Sequence, residues 1–101
     1  MRVIVMFDLP VTTYMNRKEY SKFRKYLVSQ GFIMMQESIY SKLVQNQTAA
    51  DTVFDNIKKN KPSSGLVQVM KITEKQYARI ECIVGKNTSE IINTNDRIVI
   101  L

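Results

Sequence analysis

The chain has 101 residues, 15 Lys and Arg against 9 Asp and Glu for a formal net charge of +6, one Cys, and neither His nor Trp. Without His, imidazole acid–base chemistry, Ser-His-Asp and Cys-His machinery and His-containing zinc sites are excluded; a lone Cys excludes an intramolecular disulfide and any Cys-rich metal site. Carboxylate, hydroxyl, Lys and Arg chemistry remain, on one domain whose thin core favours dimerisation.

Val3-Ile4-Val5-Met6-Phe7 is a continuous apolar run, which predicts a strand covered on both faces and central in its sheet. Asp8-Leu9-Pro10 ends it, because Pro10 cannot donate to a ladder and holds Leu9 extended. Residues 9–15 are expected as a loop, with Asn16 as cap of a helix from Arg17 to Gln30 that Gly31 stops. On that helix Tyr20, Phe23 and Leu27 fall within about 60° of one another. Lys18, Lys22 and Lys25 gather on the opposite side, while Arg17 and Arg24 flank the buried stripe.

Phe32 to Val44 is rich in strand formers without a Gly or Pro, so it is either one bent strand or two strands meeting near Glu37-Ser38 through a bulge. Val53, Phe54 and Ile57 predict a second helix over about 48–60, with Lys58 and Lys59 favourably placed at its C-terminal end. Lys61-Pro62-Ser63-Ser64-Gly65 breaks it, and Leu66 to Met70 is the next strand. Thr73-Glu74-Lys75-Gln76 has the form of a capping box opening a short helix with Tyr77 and Ile80 inward. Cys82, in the apolar run Ile80 to Val84, reads as a small core hydrophobe. A polar segment, 85–96, precedes the apolar end Ile98-Val99-Ile100-Leu101.

This order fits an α+β, ferredoxin-like βαββαβ frame, an antiparallel sheet with both helices on one face. The chain is expected as a single domain over 1–101, with a core over 1–84 and a C-terminal extension over 85–101. The extra terminal strand has no slot in the basic unit and must extend a sheet edge, its own or that of a partner protomer. No stretch reaches the roughly 20 apolar residues of a membrane span, and the N-terminal segment has the pattern of neither a signal peptide nor an anchor. A cytoplasmic location with no membrane partner is the expectation. Seven basic side chains stand against three acidic ones in residues 1–50, and Arg17, Lys18, Lys22, Arg24 and Lys25 are interrupted only by Glu19. Such a stripe on one element is what a polyanion would meet.

The strand ending in Phe7-Asp8-Leu9-Pro10, Arg17 near the helix start, Gly31, and Gln36-Glu37-Ser38-Ile39-Tyr40, taken with the length and terminal strand, resemble the small CRISPR-associated protein of spacer acquisition, the Cas-two family. The resemblance covers the whole chain. It implies a ferredoxin-like homodimer that bridges two dimers of the CRISPR integrase and holds duplex DNA on a basic surface. Some members are described as metal-dependent endoribonucleases or DNases, with single-stranded RNA among the partners this implies and the strand-end aspartate as metal ligand; Asp8 matches it. Two departures stand out. The loop offers Thr12-Thr13-Tyr14-Met15-Asn16 where many relatives carry arginines, and Phe7 stands where Tyr is frequent.

The site expected on these grounds has Asp8 as catalytic residue and ligand of Mg2+ at the dimer interface, since one carboxylate per protomer suffices for magnesium only when two meet across a dyad. Nucleic acid is assigned to Tyr14, Arg17, Lys18, Lys22 and Lys25, with Arg17 the foremost phosphate contact. The partner contact is assigned to Arg97, Ile98, Val99, Ile100 and Leu101. Plainer readings stand beside these: Asp8 bonding backbone amides of its turn, lysines that only solvate a helix face, and Arg24 pairing with Glu37 or an interface acid. Phe23, Phe32, Tyr40, Phe54 and Tyr77 read as core, and Met34-Met35 as an adaptable core or dimer seam. The rival functions are a ribonuclease toxin and a small-molecule regulatory module on the same fold.

Overall fold

The computed structural model describes residues 1–85 of the chain. Strand β1, Arg2–Asp8, is followed by helix α1, Tyr14–Ser29, strands β2, Ile33–Gln36, and β3, Ile39–Leu43, helix α2, Gln47–Lys59, strand β4, Leu66–Ile72, and the short helix α3, Glu74–Ala78. The four strands form one antiparallel sheet in the order β2-β3-β1-β4, so the apolar first strand is central, as its composition predicts. Architecture and connectivity are those of the ferredoxin-like fold.

Alternation along β1 sends Val3, Val5 and Phe7 to one face. There they share a buried core with Phe23 and Leu27 of α1 and Ala50 and Ile57 of α2, so both long helices cover that face. Ile4 and Met6 point to the other face, where Ile4 is nevertheless buried. Val5 lies opposite Tyr40 on β3 and opposite Val69 on β4, which continues the inward row across three strands.

Helix α1 begins earlier than its charge pattern implies. Thr13, not Asn16, is the cap: its Oγ1 accepts from the Asn16 N–H at 3.1 Å, because an extended Thr13 places its hydroxyl over the first turn. Tyr14 therefore sits in the first helical turn rather than in a loop. At the other end Gly31, with φ +91°, allows the Phe32 N–H to reach the Leu27 carbonyl and its own N–H to reach that of Val28, the Schellman arrangement. Phe32 and Leu27 are both buried in the core.

The segment after Gly31 is two strands, not one. Gln36 pairs with Ile39, leaving Glu37 and Ser38 as a two-residue connection, with a register shift between Met34 and Gln36. Ser38 takes φ +68°, the left-handed conformation that glycine usually supplies, and its carbonyl accepts from the Phe7 N–H at 3.0 Å. α2 is capped by Asn46 and α3 by Thr73 with the full capping box.

Three core assignments are corrected. Ile80 and Cys82 are exposed, because the segment after α3 runs beside the uncovered face of the sheet rather than under the helices. Tyr77 is half-buried but outside the main core, and carries the Arg2 guanidinium over its ring at 4.0 Å. The terminal strand and the assigned contact residues Arg97 to Leu101 lie outside the described residues.

Candidate nucleic-acid interface

Three connections meet at the end of the sheet where β1 finishes. Met6 pairs with Ile39 and Asp8 with Leu66, which brings the 37–38 turn and the 60–65 loop to either side of Asp8. Gly65 is required there: its φ is +92°, and a Cβ would stand 2.7 Å from Leu9 Cδ2 and 2.9 Å from the Asp8 carbonyl oxygen. Phe7, directly before Asp8, is fixed by aromatic contacts, edge-on to Phe23 and Tyr20 at 5.2 and 5.9 Å and stacked on Tyr40 at 5.7 Å. The aspartate is thus displayed from a rigid seat.

The Asp8 carboxylate is exposed, and it enters none of the side-chain hydrogen bonds or ion pairs among the described residues. The turn-amide alternative therefore finds no support in its geometry. With Glu37, Ser38, Leu66 and Gln68, Asp8 lines an open cavity of about 280 Å³. Glu37 was not among the expected site residues; the sequence offers a turn near Glu37-Ser38, but that this turn lies beside the end of β1 follows only from the pairing of β3 with β1. Among the described residues no group of three or more Asp, Glu or Cys side chains converges as a metal cage. Magnesium needs only one or two carboxylates, with water and substrate oxygens completing its shell, so an exposed, unpaired Asp8 beside Glu37 fits that donor set.

Arg17 does not reach Asp8. Its Nη1 donates to the carbonyls of Val11 and Thr12 at 3.3 and 3.2 Å, tying down the loop that follows β1. Only one of its nitrogens is used, so the guanidinium retains donors. Arg24 pairs with no acid: its Nε donates to the Tyr40 hydroxyl at 3.0 Å, bracing α1 on β3. Lys18, Lys22 and Lys25 are all exposed on the face of α1 opposite Phe23 and Leu27, and Tyr14, 70% exposed, stands at the N-terminal end of that helix.

The one acid in this stripe is bonded to another element. Glu19 accepts from both the N–H and the hydroxyl of Ser63, at 3.1 and 2.5 Å, joining α1 to the 60–65 loop. Those two bonds, with a smaller contribution from Lys22, hold its carboxyl below the ordinary carboxylate value. A second feature lies across the sheet. On the face away from α1 and α2, Ile33, Leu43, Leu66 and Met70 are each roughly half exposed. The chain from Ile80 to Gly85 lines a further open cavity there with Met35, Gln36 and Ile39. Met35 accordingly faces this cavity rather than the core. Among the described residues no helix is long and apolar enough to cross a membrane.

Comparison with known proteins agrees with this geometry. A family model described as CRISPR associated protein Cas2 matches residues 1–80. The chain is 57% identical over 101 residues to a protein of Treponema denticola named CRISPR-associated endoribonuclease Cas2, the match covering the whole of both chains. Proteins of the same name from Streptococcus mutans and Ligilactobacillus salivarius are 45% and 44% identical; each match spans this whole chain, with 93% of the first and 100% of the second. With its ferredoxin-like sheet, its strand-end aspartate and a match over most of its length, the chain belongs to the CRISPR associated protein Cas2 family.

Proposed function

We propose that the protein is the adaptor of CRISPR spacer acquisition: a homodimer that holds duplex DNA on the basic face of α1 and bridges two integrase dimers. The observation that carries this reading is the segregation of charge on α1. Lys18, Lys22 and Lys25 share one exposed face, and the single acid among them, Glu19, is bonded to Ser63. Each ammonium group placed on a phosphate releases a condensed counterion, so binding is steep in salt and tolerant of sequence. The apolar open face of the sheet supplies the contact for a second copy, and Arg97 to Leu101 supply the contact with partner protomer or integrase. Sizing the protein mixed with its integrase and a duplex of spacer length at low salt tests this reading. A joint complex is expected, and separate elution of the three overturns it.

A second reading is favoured by the exposed Asp8 carboxylate and by the endoribonuclease names of the relatives. In it the dimer is also a magnesium-dependent phosphodiesterase on RNA or DNA. A bound magnesium ion would supply Lewis acidity at the phosphate and lower the pKa of a water. Asp8, with Glu37 beside it or a second Asp8 across the dyad, would hold the cation, while the Phe7 aromatic seat and Gly65 keep the carboxylate in place. Arg17, through its unused donors, would meet a phosphate oxygen. Asp8→Asn keeps the shape and removes the charge; it is expected to abolish Mg-dependent cleavage while leaving duplex affinity within about threefold of wild type. Cleavage retained in that variant removes Asp8 from the chemistry.

A further inference from the structure

The chain places a second group of cations against the α1 stripe that the charge pattern of the sequence had accounted for otherwise. Lys58 and Lys59 read as counter-charges to the C-terminal end of α2. Folding carries Lys59 and Lys61 to Lys22, nearly forty positions earlier, where the three lysines surround one open depression of about 140 Å³ with Glu19, Phe23, Asn60 and Pro62. The three ion pairs among the described residues use Lys58, Lys71 and Arg2, and none uses Lys22, Lys59 or Lys61. Glu19, the acid in the lining, is held by Ser63. This corner adjoins the Asp8 end of the sheet, since residues 62 and 64 of the same loop pack beside Leu9, Pro10 and Asn16.

From this juxtaposition we infer that Lys22, Lys59 and Lys61 form a second phosphate-contact subsite, which turns the nucleic-acid track from the crown of α1 across to the end of α2. The inference rests on the DNA-holding reading and names further residues for it. The chemistry selects a polymer backbone over a small anion. A free phosphate or nucleotide is best held by several fixed N–H donors, and here the Ser63 N–H is taken by Glu19, the Asn60 N–H by the Ile57 carbonyl and one N–H of the Asn60 side-chain amide by the Asn56 carbonyl. The cationic donors are the mobile ammonium groups of Lys22, Lys59 and Lys61, which follow a phosphate chain without reading its bases. The lone ring in the lining, Phe23, is buried in the core, so no stacking platform for a base is present.

The experiment measures binding of the full chain to a fluorescently labelled duplex of mixed sequence between about 50 and 200 mM salt. Lys59→Gln/Lys61→Gln is compared with wild type, with Lys18→Gln/Lys25→Gln and with the charge-keeping Lys59→Arg/Lys61→Arg. Loss of two phosphate contacts is expected to lower the salt slope by about 1.8 for each protomer touching the duplex and to weaken binding about 10- to 100-fold near 100 mM salt. The Arg pair is expected to restore both. An unchanged slope in Lys59→Gln/Lys61→Gln, with a reduced slope in Lys18→Gln/Lys25→Gln, overturns this subsite and leaves the α1 reading standing. A wild-type chain that binds without steep salt dependence overturns the DNA-holding reading and this inference together. Coincident circular dichroism and melting curves show that all variants are folded, and substitution of exposed lysines leaves the core untouched.

Discussion

On one face of the sheet Val3 and Val5 are fully buried under two helices; on the other, in the same strands and their neighbours, Leu43, Leu66 and Met70 remain 58%, 54% and 44% exposed. Both faces are apolar, and the alternation of one short sheet supplies both. The difference is what each finds within the chain. The first receives Phe23, Leu27, Ala50 and Ile57 and becomes a closed core. Among the described residues the second receives only α3, anchored by the Arg2–Glu74 ion pair at 2.9 Å, and the segment from Ile80 to Gly85. One face therefore determines the fold, and the other, as the described residues leave it, is the surface on which the proposed dimer would rest.

The largest expected effect falls on the covered face. Phe23→Ala removes a ring that is 2% exposed and packs edge-on to Phe7. It is expected to cost about 3–5 kcal/mol in denaturant unfolding, and a cost below about 1 kcal/mol would mean that the two faces do not differ in this way. On the open face the pattern reverses. Leu66→Asp/Met70→Asp is expected to change protomer stability by only about 0.5 kcal/mol per site, since both residues are already half exposed. If the proposed dimer forms through this face, the same pair is expected to leave the chain sedimenting as a monomer where wild type sediments as a dimer, because two charges per copy would be desolvated on association. If the variant stays dimeric, another surface carries the assembly.

The smallest expected effect concerns the link between the helix layer and the Asp8 end. Glu19 has its folded-state pKa lowered by its bonds to Ser63, so its stabilising contribution is present at neutral pH and is lost as pH falls through that lowered value. Glu19→Gln is expected to flatten the acid limb of the stability profile and leave the alkaline limb unchanged. A profile that keeps its acid slope would place the responsible carboxylate elsewhere.

Much of this arrangement was legible in the sequence because period and composition agreed. The apolar run Val3 to Phe7 predicted a central strand, Phe23 and Leu27 a buried helical stripe, and Thr73 with Gln76 a capping box. The start of α1 was misplaced because Thr13 and Asn16 are both good caps, and only backbone geometry selects between them. Cys82 and Ile80 were misread because apolar character predicts burial against something without saying whether the same chain provides it. At the site, Asp8 and the α1 lysines were readable from their position on an element. Glu37, Gly65, Lys59 and Lys61 were not, since their nearness to Asp8 and Lys22 is created by strand register and loop packing between distant parts of the chain.

The central claim, that two copies present one cationic surface to a duplex, is tested most directly by the native mass of the complex formed with double-stranded DNA at low salt. The account predicts two protomers on one duplex, dissociating from the DNA as a dimer when salt is raised. A duplex carrying a single protomer, or no complex at low salt, would contradict it.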